Sequence, residues 1–155
     1  MRCLPWCLHC EPFRVGKRMS HILIIEDYRD NRDVAELILH DAGYTVTCGS
    51  DGRRGIQLAL DLQPDLILMD LALPLLNGWE ATRRLKANPA TRHIPVVAFT
   101  AHVTQDDLER AHAAGCVAIV AKPFELNAFL AQIAAVLTQP AQVSRQRVAG
   151  ADLDG

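Results

Sequence analysis

Glu26-Asp27, Asp70, Thr100 and Lys122 each stand at or just past the end of an apolar run. Together they supply three carboxylates, a hydroxyl and an amine. A carboxylate can act as a nucleophile or bind a hard cation, an amine is a fixed positive charge, and a hydroxyl donates a hydrogen bond. Carboxylates crowded together repel, and at least one pKa rises unless something compensates. Two compensators suggest themselves. Mg²⁺, with Mn²⁺ as a substitute, takes oxygens from carboxylates, a backbone carbonyl and water. Lys122 adds a second cation. An ionised Asp70 could then persist at a strand end and attack phosphorus, with Thr100 and Lys122 facing the transferring oxygens.

Each residue alone has a plainer reading. Glu26, Asp27, Asp30 and Asn31 could cap a helix, Thr100 could be an ordinary strand residue, and Lys122 a solvated loop charge. The weight lies in their joint occurrence at successive strand ends, where open parallel sheets gather functional residues.

The elements that position them are legible as two alternating patterns. Ile22–Ile25, Asp65–Met69, Ile94–Phe99 and Cys116–Val120 are short runs rich in Ile and Val, and read as fully buried strands. Tyr44–Cys48 alternates like an edge strand. Between them fall helical spacings, with apolar faces at Val34, Leu37 and Ile38, at Ile56, Ala59 and Leu60, and at Leu108, Ala111 and His112. The clearest is Leu126, Phe129, Leu130, Ile133 and Leu137. Gly43 and Gly115 stand where helix C-caps belong, and Thr104 with Asp107 resembles a capping box. Five strands alternating with five helices imply right-handed βα units and a mainly parallel sheet covered on both faces. On this reading the third strand delivers Asp70 to the rim of the sheet rather than burying it.

The 155 residues suffice for one domain with a sizeable core. A formal net charge of -2 gives no electrostatic case for nucleic acid or an anionic membrane, and no apolar run approaches a membrane span. The five cysteines are an odd count without a signal peptide, which argues for a reducing, cytoplasmic setting. Cys3, Cys7, His9 and Cys10 crowd one short Pro-broken segment, a weak basis for zinc. Residues 1–19 read as a poorly ordered extension, 20–138 as the folded domain and 139–155 as a disordered tail. Met19 reads as a natural start.

Glu26-Asp27, Asp70 within "DLALPLLNG", Thr100-Ala101 and Lys122-Pro123 together resemble the receiver domain of two-component response regulators. The resemblance runs from about His21 to Leu137 and includes D-x-x-x-P-x-x-x-G, met by Asp70, Pro74 and Gly78. It implies a flavodoxin-like (βα)5 fold with strand order 2-1-3-4-5. Asp70 is then the phosphoacceptor, and Glu26, Asp27, Asp70 and the Ala72 carbonyl hold Mg²⁺. Thr100 and Lys122 contact the phosphoryl group, and Lys122–Pro123 is a cis peptide. Ala72 and His102 occupy positions that tune dephosphorylation. Ile119 stands where many receivers carry an aromatic that turns inward, so that readout is lost here.

The resemblance further implies a sensor histidine kinase or histidine phosphotransfer protein as donor and a protein target downstream, with a homodimer as one option. It implies a switch rather than an enzyme acting on other substrates, without an output domain. Three alternatives differ in class. A pseudo-receiver would have the fold without phosphorylation. A flavin or nucleotide binder needs a phosphate loop where the chain has the acidic "EDYRDNRD". A haloacid-dehalogenase-type phosphatase needs a second Asp where Ala72 stands.

Overall fold

The computed structural model describes residues 19–139. The Cys3, Cys7, His9 and Cys10 segment and the tail from residue 140 lie outside the described residues.

Five strands and five helices alternate: β1 (His21–Ile25), α1 (Arg29–Asp41), β2 (Thr45–Gly49), α2 (Gly52–Leu62), β3 (Leu66–Asp70), α3 (Gly78–Ala87), β4 (Val96–Thr100), α4 (Gln105–Ala114), β5 (Ala118–Ala121) and α5 (Leu126–Thr138). All strand pairs are parallel, in the order β2-β1-β3-β4-β5. The chain reverses direction of sheet growth between β1 and β3, which is where doubly wound sheets open a crevice at their carboxyl ends. β1, β3, β4 and β5 are consecutive neighbours, as convergence of their ends requires.

Strand alternation divides the core into two layers. On one side Leu23, Ile25, Ile67, Met69, Val96 and Ala98 face Ala59, Ala81, Leu85 and Ala111. On the other Ile22, Ile24, Leu66, Leu68, Val97 and Phe99 face Ala35, Leu39, Phe129 and Ile133. This second layer is closed by aromatics: Phe124 and Phe129 have ring centroids 4.4 Å apart, and Phe99 lies 5.5 Å from Phe124.

Several expected details shift. The expected fourth strand begins two residues late, at Val96, because Pro95 has no amide to donate to the ladder. The fifth begins at Ala118 and is only half-buried, because β5 is the second edge of the sheet. On α1, Val34 and Leu37 are exposed, while Ala35 and Leu39 are buried. On α4, Leu108 and His112 face outward and Ala111 and Ala114 face in. On α4 the contact is made by alanines alone, which lets that helix approach the sheet closely, whereas on α1 Ala35 shares the contact with Leu39 and the half-buried Ile38.

The end signals hold. Thr104 and Asp107 form the reciprocal capping box, with Gly115 closing α4 at φ 104°. Gly43, at φ 92°, follows α1.

Candidate functional site

The site begins with how β1 and β3 end. Glu26 directly follows β1, and its amide donates to the Gly49 carbonyl at the end of β2 at 3.1 Å. Its side chain turns inward and is completely buried. Glu26 Oε2 accepts from Lys122 Nζ at 2.5 Å, and Oε1 accepts from the Tyr28 amide at 3.1 Å. Asp27 faces solvent.

Asp70 is the last residue of β3 and is only 4% exposed. The expectation that the strand would carry it to the rim without burying it is therefore half correct: it is at the rim and buried. The physical reason is its partners. Asp70 Oδ1 accepts from the Ala72 amide at 3.0 Å, and Oδ2 lies 3.8 Å from Lys122 Nζ. These offset the desolvation that an isolated carboxylate would suffer.

Lys122 reaches both carboxylates from beyond β5. Its amide donates to the Thr100 carbonyl at 2.7 Å, and its ammonium sits 4.5 Å from the Phe99 ring centroid. Cation–π attraction adds to the ion pairs in holding it there. Lys122–Pro123 is cis, as the resemblance implied. Burial pushes the Glu26 carboxyl above its ordinary range; the Lys122 hydrogen bond pulls it back, and the Asp70 charge raises it again.

Gly78 shows why the loop after Asp70 needs its glycine. A Cβ there would stand 2.1 Å from the Asp70 carbonyl oxygen, a distance no packing accommodates. Instead the Gly78 amide donates to the Leu71 carbonyl and closes the loop. Pro74 and Ala72 are exposed on its outer surface.

Thr100 ends β4, one residue past the Asp70–Phe99 pairing. Its hydroxyl is engaged with its own loop, donating to the His102 carbonyl at 3.1 Å. Ala101 and His102 are exposed. Ile119 is half-buried on β5, packed against the layer that holds α2, α3 and α4, and its carbonyl accepts from Gln132.

The carboxylate oxygens of Glu26, Asp27 and Asp70 lie within 4.8 Å of one another. Three hard anionic oxygens at that spacing fit a divalent cation such as Mg²⁺. Sequence reasoning missed two contributors. Arg32 Nη1 donates to the Glu26 carbonyl at 3.1 Å, and the Tyr28 amide fixes the Glu26 side chain. Neither stands at a strand end, so no pattern marked them.

A five-stranded parallel sheet of this order, with acids and a lysine gathered at its carboxyl edge, defines a doubly wound α/β protein of the flavodoxin-like class. Residues 22–134 match the response regulator receiver domain, and the chain belongs to that family of two-component signalling. The polar-differentiation response regulator DivK of Brucella anthropi is 36% identical over 116 residues, covering 75% of this chain and 94% of its own. The receiver domain of the sensor histidine kinase PA1611 from Pseudomonas aeruginosa superimposes with a TM-score of 0.73 at 35% identity, over 78% of this chain and 99% of that one. That domain was crystallised with a magnesium ion coordinated in its active-site cleft. The chemotaxis protein CheY4 of Vibrio cholerae shares the fold with a TM-score of 0.73 at 24% identity, over 76% of this chain and 98% of that one. Among the described residues, no helix is long and apolar enough to cross a membrane.

Proposed function

We propose that this receiver is phosphorylated on Asp70 in a Mg²⁺-dependent reaction, from the phosphohistidine of a sensor histidine kinase or histidine phosphotransfer protein. One observation carries the reading. Asp70 is a buried carboxylate whose Oδ1 is pinned by the Ala72 amide while Oδ2 points toward Lys122. Its orientation is thus set before any donor arrives, which lowers the entropic part of the barrier.

An Asp70 oxygen forms the new bond to phosphorus as the bond from phosphorus to the donor imidazole breaks, its electron pair leaving on that nitrogen. Glu26, Asp27, Asp70 and the Ala72 carbonyl would hold Mg²⁺, which supplies charge neutralisation for the phosphoryl oxygens. Lys122 is the second cation, close enough to leave Glu26 for an incoming oxygen. The Thr100 hydroxyl must release the His102 carbonyl before it can donate to the phosphoryl group. That exchange couples phosphorylation to the loop entering α4, a local change from which a two-state switch can be built. Ala72 is small and leaves one side of the acyl phosphate open to water, and His102 borders the other approach.

The protein catalyses its own phosphorylation and dephosphorylation and acts on a downstream protein by altered contacts. A cytoplasmic setting agrees with the free thiols of Cys48 and Cys116. The test is incubation with acetyl phosphate and Mg²⁺, read by a phosphate-affinity mobility shift. Wild type is expected to shift and Asp70→Asn not to. Wild type failing to shift would leave a pseudo-receiver as the better reading.

A further inference from the structure

Two non-glycine residues in the described chain adopt a left-handed backbone, Gln63 at φ 48° and Leu75 at φ 66°. Gln63 has a structural reason. It caps α2, its amide donating to the Ala59 carbonyl and its side-chain amide to the Ala59 and Leu60 carbonyls. A left-handed residue at a helix end is an ordinary way to satisfy those carbonyls.

Leu75 caps nothing. It lies between Asp70 and α3, and the Leu76 amide donates to the Pro74 carbonyl at 2.8 Å, closing a three-residue turn around it. The positive-φ form of that turn is the rare and strained one. Glycine or asparagine takes such a backbone readily, whereas a leucine resists it. The flanking Leu73 and Leu76 are buried at 6% and 8%, which anchors the loop on both sides. Leu75 is thereby driven outward, with its side chain fully exposed at 101%. An exposed leucine is common, and a strained turn is sometimes structural. A leucine that has both properties, five residues past the phosphoacceptor, gains nothing for the fold from either. Strain of this kind points toward function.

We infer that Leu75 is a specificity-determining contact for the phospho-donor protein, an apolar knob that seats against the donor surface bearing the phosphohistidine. The inference rests on the phosphoacceptor reading of Asp70. Transfer requires the donor imidazole and the Asp70 carboxylate to flank one phosphorus atom, so the donor surface must close over the rim of the site. Ala72, Pro74, Leu75 and Asn77 are the exposed residues of the loop that forms one side of that rim. Leu75 is the only large apolar side chain among them. A small donor such as acetyl phosphate brings no protein surface to seat against it.

The experiment uses the full chain with Leu75→Gly, Leu75→Asn and Leu75→Met. Each is phosphorylated with acetyl phosphate and Mg²⁺, then separately with a radiolabelled histidine phosphotransfer protein from the same genome that labels wild type. Thermal unfolding is recorded alongside. Leu75→Gly and Leu75→Asn are expected to keep wild-type labelling by acetyl phosphate and an equal or higher Tm. Their kcat/KM from the protein donor should fall about tenfold, the loss typical of one interfacial anchor. Leu75→Met should restore most of it. Unchanged transfer from the protein donor in both variants overturns the inference. An equal fall with both donors also overturns it, because the loop itself has then been damaged. If acetyl phosphate fails to label even the wild type, the phosphoacceptor reading fails first and takes this inference with it.

Discussion

Ile24 and Glu26 are two residues apart, and both are completely buried. The middle of the sheet needs only packing to keep Ile24 there, whereas the carboxyl rim needs an ion pair and a backbone amide to keep Glu26 there. The buried polar residues divide in the same way. Thr82 and Thr91 each donate to a carbonyl of the α3 region, at Gly78 and Leu85, and serve the fold. Glu26, Asp70 and Thr100 gather at the rim, where the two carboxylates share Lys122 and the Thr100 hydroxyl is held by the loop at His102. Equal burial therefore conceals two regimes. Substitutions in the middle should remove stability and leave chemistry intact in what stays folded. Substitutions at the rim should do the reverse.

The largest effect expected on that contrast is Asp70→Asn. Labelling by acetyl phosphate should be abolished, because an amide is no nucleophile. Yet the metal-free protein should unfold no earlier than wild type, because a charge that repels Glu26 is gone while Lys122 still pairs with Glu26. A large drop in Tm would place Asp70 in the first regime and break the distinction.

Phe129→Ala probes the opposite side. Phe129 is 1% exposed, with ring centroids 4.4 Å from Phe124 and 6.2 Å from Phe99. Truncating it should cost about 3–5 kcal/mol in urea unfolding. Mg²⁺ affinity of the folded fraction should hold, since none of the proposed ligands touches this ring.

Glu26→Gln sharpens the contrast through pH. Glu26 titrates above its ordinary value of 4.5, chiefly because it is buried. The sign follows from linkage: a carboxyl with a raised folded pKa contributes stability below its unfolded value and loses it as pH climbs through the folded value. Metal-free wild type should lose this contribution as pH rises above about 4.5. Glu26→Gln should remove that part of the slope. Mg²⁺ at neutral pH should raise the wild-type Tm by binding the ionised cluster, and raise the variant's far less. Identical pH slopes in EDTA would contradict the assignment.

Much of the rim was legible in the sequence because charges and hydroxyls at the ends of apolar runs are abrupt local signals. Asp70, Thr100 and Lys122 fall where the spacing places them. What the sequence hid was set partly by contacts distant along the chain and partly by backbone geometry that residue type does not announce. The burial of Asp70 depends on Lys122 and on the loop that Gly78 permits. Thr100 turns toward His102 for reasons local geometry alone decides. Leu75 sits in an unbroken apolar context, where nothing marks a residue whose backbone runs against its own preference. On α1 and α4 the expected faces were right at Ile38 and Ala111 but wrong at Val34, Leu37, Leu108 and His112, because periodicity passed over Ala35, Leu39 and Ala114, which complete the helix–sheet contact.

That misreading gives the smallest expected effect and a clean measurement. Val34 and Leu37 are 51% and 69% exposed, while Leu39, on the same helix, is fully buried. If the sequence pattern defined the core face, Leu37→Ser would remove a packed side chain. In the structure it removes one that water already surrounds, so the change in unfolding free energy should stay within about 0.5 kcal/mol. Leu39→Ala, chemically milder, should cost about 2–5 kcal/mol, because it leaves a cavity against Ile22, Ile24 and Leu66 in the same apolar layer. Equilibrium urea unfolding of the two variants compares two leucines two residues apart on one helix. Equal losses would mean that α1 is rotated relative to the sheet, and would return Val34 and Leu37 to the core.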